Sequence, residues 1–292
     1  MVLHLRRRTF LATACTAGVG ALAGCGHPNA VLTMDPVDDA AVAERYARTV
    51  PPDAEQHATL GRAVENGSTT TEGTSPEFDT DRPYAYEGGF YELTVTEEEQ
   101  LEGTRITVEV DYATAEDDTG VPLEEFPPVD RDLLSGLFPP EEDRGEGPEM
   151  GAGAVYTPEE AESSRLVNEQ VSAVRYEGAA YPITVETRPA DRYRYRVEAT
   201  QVADDAATYG AELKTEYLFT LSGLSEAERE VLAQAIDEGY YESSGSDAFE
   251  SVARRFLEHE PIIGDPAEEG QYLVRYEGTD YWADLYAPFV EA

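Results

Sequence analysis

Val274-Arg275-Tyr276-Glu277-Gly278-Thr279-Asp280-Tyr281-Trp282-Ala283-Asp284-Leu285 decides the fold. After its Glu-Gly pair, Tyr281, Ala283 and Leu285 fall at every second position. Period two on the far side of a glycine-containing loop of four residues reads as a β-hairpin. The same signature stands at Tyr86-Glu87-Gly88 with Tyr91, Leu93 and Val95, and at Tyr176-Glu177-Gly178 with Tyr181, Ile183 and Val185. In the last two copies the incoming strands match residue for residue, Val174-Arg175-Tyr176 and Val274-Arg275-Tyr276.

A helical signature lies upstream of each hairpin. Ser225 with Glu228 forms a capping box, Val231, Leu232, Ala235 and Ile236 give an apolar stripe, and Gly239 suits the stop. Asp53, Gln56, Leu60, Val64 and Gly67 repeat those offsets, and Val129, Leu133, Leu134, Leu137 and Phe138 keep the stripe before Pro139-Pro140. A second helix is expected from Asp247 with Glu250 and from Thr157-Pro158 with Glu160, but not in the first copy, which has the Ser/Thr-rich run 68–75 instead. Further strands are expected at 105–112 and 193–200, which share Val108-Glu109 and Val197-Glu198, and a long one from Leu213 to Leu221. The fold class is therefore α+β, with three tandem related modules of amphipathic helix plus antiparallel hairpin. The expected division is a leader at 1–25, a tether at 26–36, a shortened module at 37–100, a second at 101–190 with acidic Pro/Gly-rich inserts, and a third at 191–292.

Charge bounds the partners. Lys and Arg number 21 against 60 Asp and Glu, a net −39. The first 25 residues hold three arginines and no acid, so the remainder is more acidic still. Nucleic acid and anionic lipid repel such a chain, which disfavours both as partners. Lys214 is the sole lysine. An acidic, lysine-poor surface fits molar salt, where a Debye length of ~3 Å screens self-repulsion. A GC-rich genome also exchanges Lys for Arg, and an acidic face is often just solvated.

The leader shows where the chain goes. Arg6-Arg7-Arg8 precedes a weakly apolar run from Phe10 to Gly24, too short to span a bilayer, and Leu22-Ala23-Gly24-Cys25 closes it. Arg7-Arg8-Thr9-Phe10-Leu11 resembles the twin-arginine export motif, and the closing tetrapeptide resembles a lipobox. Together they resemble the leader of haloarchaeal Tat-exported lipoproteins, over 25 of the 292 residues, and the body resembles other lipoproteins of that group. The resemblance implies that Arg7, Arg8, Phe10 and Leu11 engage an exporter of folded cargo. It further implies that Cys25 is lipidated and holds the protein to the outer face of the cytoplasmic membrane. A cleaved leader with an incidental cysteine is the alternative. Besides Cys25 the only cysteine is Cys15, inside the leader, so the body has no thiol for a disulfide or a nucleophile.

Catalytic patterns are sparse. His27, His57 and His259 form no His-Glu-x-x-His pair, and His259 reads as a cation at a helix C-terminus. Ser225 reads as a cap rather than a nucleophile on an elbow. The clusters Glu97-Glu98-Glu99, Glu116-Asp117-Asp118 and Glu141-Glu142-Asp143 lack the alternating ligands and turn glycine of a Ca²⁺ loop, so no metal and no cofactor is expected. Asn66-Gly67-Ser68 reads equally as a glycosylation acceptor and as a helix end. Tyr and Arg gather at the hairpins: Arg175, Tyr176, Tyr181, Arg275, Tyr276, Tyr281 and Trp282. They are read either as half-buried sheet packing or as a face for an envelope protein or small ligand. The expected function is a non-catalytic, lipid-anchored surface module. The alternatives are an envelope hydrolase using a carboxylate pair and a transporter's solute-binding lipoprotein.

Overall fold

The computed structural model describes residues 28–112, 120–138, 149–265 and 269–290. The order begins β1 (Ala30–Pro36), α1 (Asp39–Tyr46), α2 (Glu55–Asn66), β2 (Ser68–Gly73), β3 (Tyr84–Tyr86) and β4 (Gly89–Asp111). It continues β5 (Val121–Pro122), α3 (Pro128–Ser135), β6 (Glu149–Tyr156), α4 (Pro158–Ser163), α5 (Arg165–Asn168), β7 (Ala173–Tyr176) and β8 (Ala179–Ala203). Last come α6 (Ala206–Tyr217), β9 (Phe219–Thr220), α7 (Glu226–Asp237), β10 (Tyr240–Glu242), α8 (Asp247–Leu257), β11 (Ile263–Asp265), β12 (Glu269–Tyr276) and β13 (Thr279–Tyr286). The fold is mixed α+β.

Two compact units divide the chain: Pro36–Leu218 with Glu277–Asp280, and the residues up to Asp35 with Phe219–Tyr276 and Tyr281–Ala292. The blocks 37–100 and 101–190, expected as separate modules, lie in one unit.

All three Tyr-Glu-Gly segments turn the chain. Glu87, Glu177 and Glu277 have φ of 48°, 49° and 49°, and the glycines after them 87°, 83° and 84°. Two successive positive φ values make a type I′ turn, whose twist matches that of the flanking strands. The loop proper is thus two residues, since Tyr86 pairs with Gly89 and Tyr176 with Ala179; the four-residue loop expected from sequence counts those paired flanks.

The larger unit is organised by one antiparallel ribbon. β4 and β8 pair from Phe90↔Ala203 to Val110↔Ile183. The apolar parity of β4 changes along it: Leu93 and Val95 face inward, then Ile106, Val108 and Val110. An odd-to-even change requires one extra residue, and the register slips between Glu97 and Glu99. One core therefore packs Leu60 and Ala63 of α2 on Leu93 and Val197, and another packs Leu134 of α3 on Ile106, Val110 and Ile183. β2 flanks β8 at one end of the ribbon and β6 flanks β4 at the other. The outer face between them stays polar.

In the smaller unit the sheet order is β10-β1-β13-β12-β11, with β9 parallel to β12. Stripes of α7 (Val231, Leu232, Ala235) and α8 (Phe249, Val252, Ala253, Phe256) cover one face. Ala30, Leu32 and Met34 of β1 lie fully inside that core, so residues 30–36 are a core strand and not part of a tether.

Other expectations are corrected. Leu213 to Tyr217 is helix, leaving only Phe219–Thr220 as strand, because Asp205 caps α6 by accepting from the Thr208 amide at 2.9 Å. Leu213 and Tyr217 are four residues apart, a spacing that suits a helix face as well as a strand face. α8 is capped by Ser246 rather than Asp247, α2 follows Ala54 with no side-chain cap from Asp53, and residues 68–73 form β2. The capping boxes at Ser225/Glu228 and Thr157/Glu160 form as expected.

Candidate functional site

The larger unit holds a cleft of about 490 Å³ lined by Tyr46, Asp81, Arg82, Glu92, Leu93, Thr94, Val95 and Tyr209. Its back wall is the crossing of α1 and α6. Asp38 caps α1 through the Ala41 amide at 2.8 Å, and Asp205 caps α6. At the crossing, a Cβ on Gly210 would overlap the carbonyl oxygen of Asp39, so only glycine allows this approach. The lone lysine fastens the pair: Lys214 Nζ lies 2.7 Å from Asp39 Oδ1 and 3.1 Å from Asp280 Oδ2. Burial works against its charge, but the two carboxylates outweigh burial and raise the Lys214 pKa.

The front wall is the 79–83 loop. Arg48 grips Asp81 with two bonds of 3.0 and 3.1 Å and lies 3.4 Å from Asp79. Its amide donates to the Pro83 carbonyl, and its own carbonyl accepts from Ala85. A bidentate pair fixes orientation as well as distance. The loop so held presents Arg82, whose Nη1 donates to the Tyr46 carbonyl at 3.2 Å while its buried Nε makes no hydrogen bond but lies 3.5 Å from Asp81 Oδ2. Tyr46 and Tyr209 stand with ring centroids 6.2 Å apart, and Phe90 backs Tyr209 at 5.1 Å. Burial raises both phenol pKa values; Arg82 opposes the rise at Tyr46, and the Tyr46 phenol adds to that at Tyr209. Both are neutral hydroxyls at physiological pH. The cleft therefore offers two phenols, the Arg82 guanidinium, an apolar wall of Leu93 and Val95, and the carboxylates of Asp81 and Glu92. A guanidinium beside two rings can hold the carboxylate of a ring-bearing molecule, against the repulsion of Asp81 and Glu92 in the same lining; no nucleophile–base pair is assembled in it.

The expected hairpin face is distributed differently. Trp282 and Tyr181 are buried, Tyr181 against Phe138 with centroids 5.5 Å apart. Tyr176 is half-buried on Phe138, and Tyr276 and Tyr281 pack against the core of the smaller unit. The tyrosines point inward because they continue the inward alternation of the hairpin strands, and Trp282, one residue after Tyr281, is buried on the opposite side of its strand, so together they do not form an open face. Arg275 is exposed and Arg175 half-exposed, and both have partners. Asn66, exposed at the end of α2, donates to the Arg62 carbonyl at 2.9 Å. His259 stacks on Phe219 at 3.9 Å and His57 lies 5.2 Å from Tyr86. Glu98 and Glu99 face Arg196 and Arg194, and no group of three metal-binding side chains occurs among the described residues. Arg7, Arg8, Phe10, Leu11, Cys25, His27 and the acidic runs 116–118 and 141–143 lie outside the described residues.

A scan against protein-family models, a search of curated proteins and a search of solved structures each found no match to the chain. The cleft therefore rests on its own chemistry. Sequence reasoning missed Tyr46, Arg82 and Tyr209. The available signal was Asp-Asp-Ala-Ala, present at both 38–41 and 204–207, which opens each of the two crossing helices.

Proposed function

We propose that the chain is an exported, salt-adapted binding module, anchored to the outer face of the cytoplasmic membrane through a lipid on Cys25. The observation that carries the binding reading is the cleft of Tyr46, Arg82 and Tyr209, which sets a guanidinium beside aromatic and apolar walls. The class of ligand is a small ring-bearing carboxylate, recognised by charge at one end and by ring stacking at the other.

The same reading takes the body as three related modules. A short parallel contact precedes a helix and a hairpin each time: Arg48 beside Tyr84, Val121 beside Val174 and Phe219 beside Val274. In each, the second hairpin strand pairs with a strand from elsewhere in the chain, which in turn pairs with the strand following the helix: β4-β8-β2, β8-β4-β6 and β13-β1-β10. This recurrence supports duplication, with the first two modules exchanging the outer halves of β4 and β8 and the third completed by β1.

Thermal unfolding of the mature chain in molar KCl, scanned against ring carboxylates such as uronic and benzoic acids, tests the binding reading. A ligand that raises Tm in the wild type but not in Arg82→Gln supports it. No shift with any carboxylate, or equal shifts in both proteins, refutes it.

A further inference from the structure

We infer that Arg105 and Arg188 form a second binding site, for a tetrahedral oxyanion: a phosphate or sulfate group. The two residues are direct cross-strand partners on β4 and β8. Alternation from the buried Ile106 puts both on the outer face of the ribbon. Direct cross-strand pairs hold their Cβ atoms about 5 Å apart, and like charges so placed disfavour the sheet.

The ribbon contains its own comparison. Arg194 occupies the matching ladder position at the other end, flanked by Glu72 on β2 and Glu99 on β4, and is ion-paired to both. Arg105 is flanked by Val155 on β6 and Arg188 on β8. One ladder position is thus neutralised by two carboxylates. The other has an apolar residue and a second cation in their place, in a chain with 60 acids to draw on. Neither Arg105 nor Arg188 has an ion pair among the described residues. Arg48, Arg82, Arg165, Arg196, Arg254 and Arg255 each lie within 4.0 Å of a carboxylate, whereas Arg62, Arg131 and Arg229 also lack an ion pair among the described residues but have no arginine as cross-strand partner.

A third guanidinium stands beside them. Gly103 shares the outer face, and a Cβ there would lie 3.0 Å from Cδ of Arg192 and 2.9 Å from Cγ1 of Val155, so the Arg192 stem lies across the glycine. Arg105 and Arg192 line a common cleft of about 380 Å³ with Gly153, Val155, Thr157, Glu72 and Glu160, while Arg188 lines a second cleft with Glu102, Gly103, Thr104 and Asp191. The two acids of the first cleft are engaged: Glu160 accepts from the Thr157 amide at 2.7 Å, and Glu72 accepts from Arg194 at 2.9 Å and from Arg192 at 3.5 Å, so Arg192 is shared with Glu72. Glu186, the nearest acid by register on that face, sits opposite Thr107 and pairs with neither arginine. Guanidinium forks match the edges of tetrahedral oxyanions and give two N–H donors each. In molar salt attraction acts only over contact distance, so the two cations must be adjacent to hold a dianion.

Calorimetric titration of the mature chain at fixed KCl, with inorganic phosphate, glucose 6-phosphate and glucose 6-sulfate, tests the site. The variants are Arg105→Gln, Arg188→Glu and, as a control elsewhere that matches the charge change of Arg105→Gln, Arg254→Gln. Arg188→Glu gives Arg105 one of the two carboxylate neighbours that Arg194 has, so it leaves Tm unchanged or higher while removing the site. The expected result is saturable binding in the wild type, weakened at least tenfold in Arg105→Gln, absent in Arg188→Glu and within twofold in Arg254→Gln. Tighter binding of either sugar ester than of inorganic phosphate assigns the group to a carbohydrate; equal binding assigns it to the free anion. No saturable binding of any of the three, or an equal loss in Arg254→Gln, overturns the inference.

Discussion

Replacing Glu228 by Gln isolates the strongest polar tie in the smaller unit. Glu228 is 5% exposed and its carboxylate accepts three hydrogen bonds: from the Ser225 amide at 2.7 Å, Ser251 Oγ at 2.8 Å and Arg255 Nε at 3.0 Å. It therefore closes the capping box of α7 and ties α7 to α8. The Ser225 amide is the largest cause of a pKa lowered to about 2; burial opposes it, and Ser251 and Arg255 add to it. At ~1.4 kcal/mol per pH unit, the fall from an unperturbed 4.5 sets a ceiling near ~3.4 kcal/mol. The Arg255 side chain is 35% exposed, and solvent screening of that partner brings the expected loss to ~2 kcal/mol at pH 7. A folded-state pKa below the unfolded one stabilises above pH ~4.5 and stops doing so as pH falls through ~2. The wild-type advantage over Glu228→Gln is therefore full at neutral pH and shrinks between those limits, while the other carboxylates titrate alike in both proteins. Trp282, the only tryptophan, is buried in the same unit, so urea unfolding followed by its fluorescence reads this unit directly. A difference below ~0.5 kcal/mol at pH 7, or one that does not change down to pH 2.5, refutes the assignment.

Two further substitutions test the larger unit, with circular dichroism at 222 nm as the readout. Gly210→Ala places a methyl group on the Asp39 carbonyl and, because backbone must move, costs ~3 kcal/mol; a loss under ~1 kcal/mol means that α1 and α6 are not so closely apposed. Lys214→Met leaves the Asp280 carboxylate, 13% exposed, without its cation and costs ~2 kcal/mol at pH 7. Because the Lys214 pKa is raised by folding, the wild-type advantage is complete below pH ~10.5 and is lost as pH rises through the folded-state value. An advantage that grows with alkaline pH contradicts the pairing.

Local rules were the legible part of this fold. Each Glu-Gly pair marks its turn because two positive φ values in succession suit few residues, and the Ser225 and Thr157 capping boxes place two helix starts to the residue. The parity change between Leu93 and Ile106 matches the bulge at Glu97–Glu99, but it was not legible while 91–95 and 105–112 read as separate strands of different modules. What failed was whatever depended on distant partners. Residues 30–36 look like a tether because nothing nearby pairs with them; their partners β10 and β13 lie more than 200 residues away. The hairpin tyrosines were legible as strand residues, but whether Tyr181 met solvent or Phe138 depended on α3 packing over it. The cleft draws Tyr46, Arg82 and Tyr209 from three separated segments, each unremarkable in isolation.

The position of β1 constrains how the chain reaches its folded form. Thr33 donates to Asp284 across 251 residues, and β1 lies between β10 and β13 with both neighbours contributed by the last quarter of the chain. Contacts of such separation form late, because the loop between them must close before they contribute stability. The smaller unit therefore cannot complete its core until nearly all of the chain has been synthesised, although its first strand emerges almost at once. A route that threads nascent chain outward would separate β1 from its partners during transit. Under the proposed export, an exporter of folded cargo would receive them already joined. The same placement puts the chain that leads to Cys25 at the start of a strand held on both sides by hydrogen bonds. Under the proposed anchoring, a pull from the membrane loads β1 in shear across both ladders rather than peeling an edge. The strand nearest the anchor is thus also the one whose release would open the core of the smaller unit.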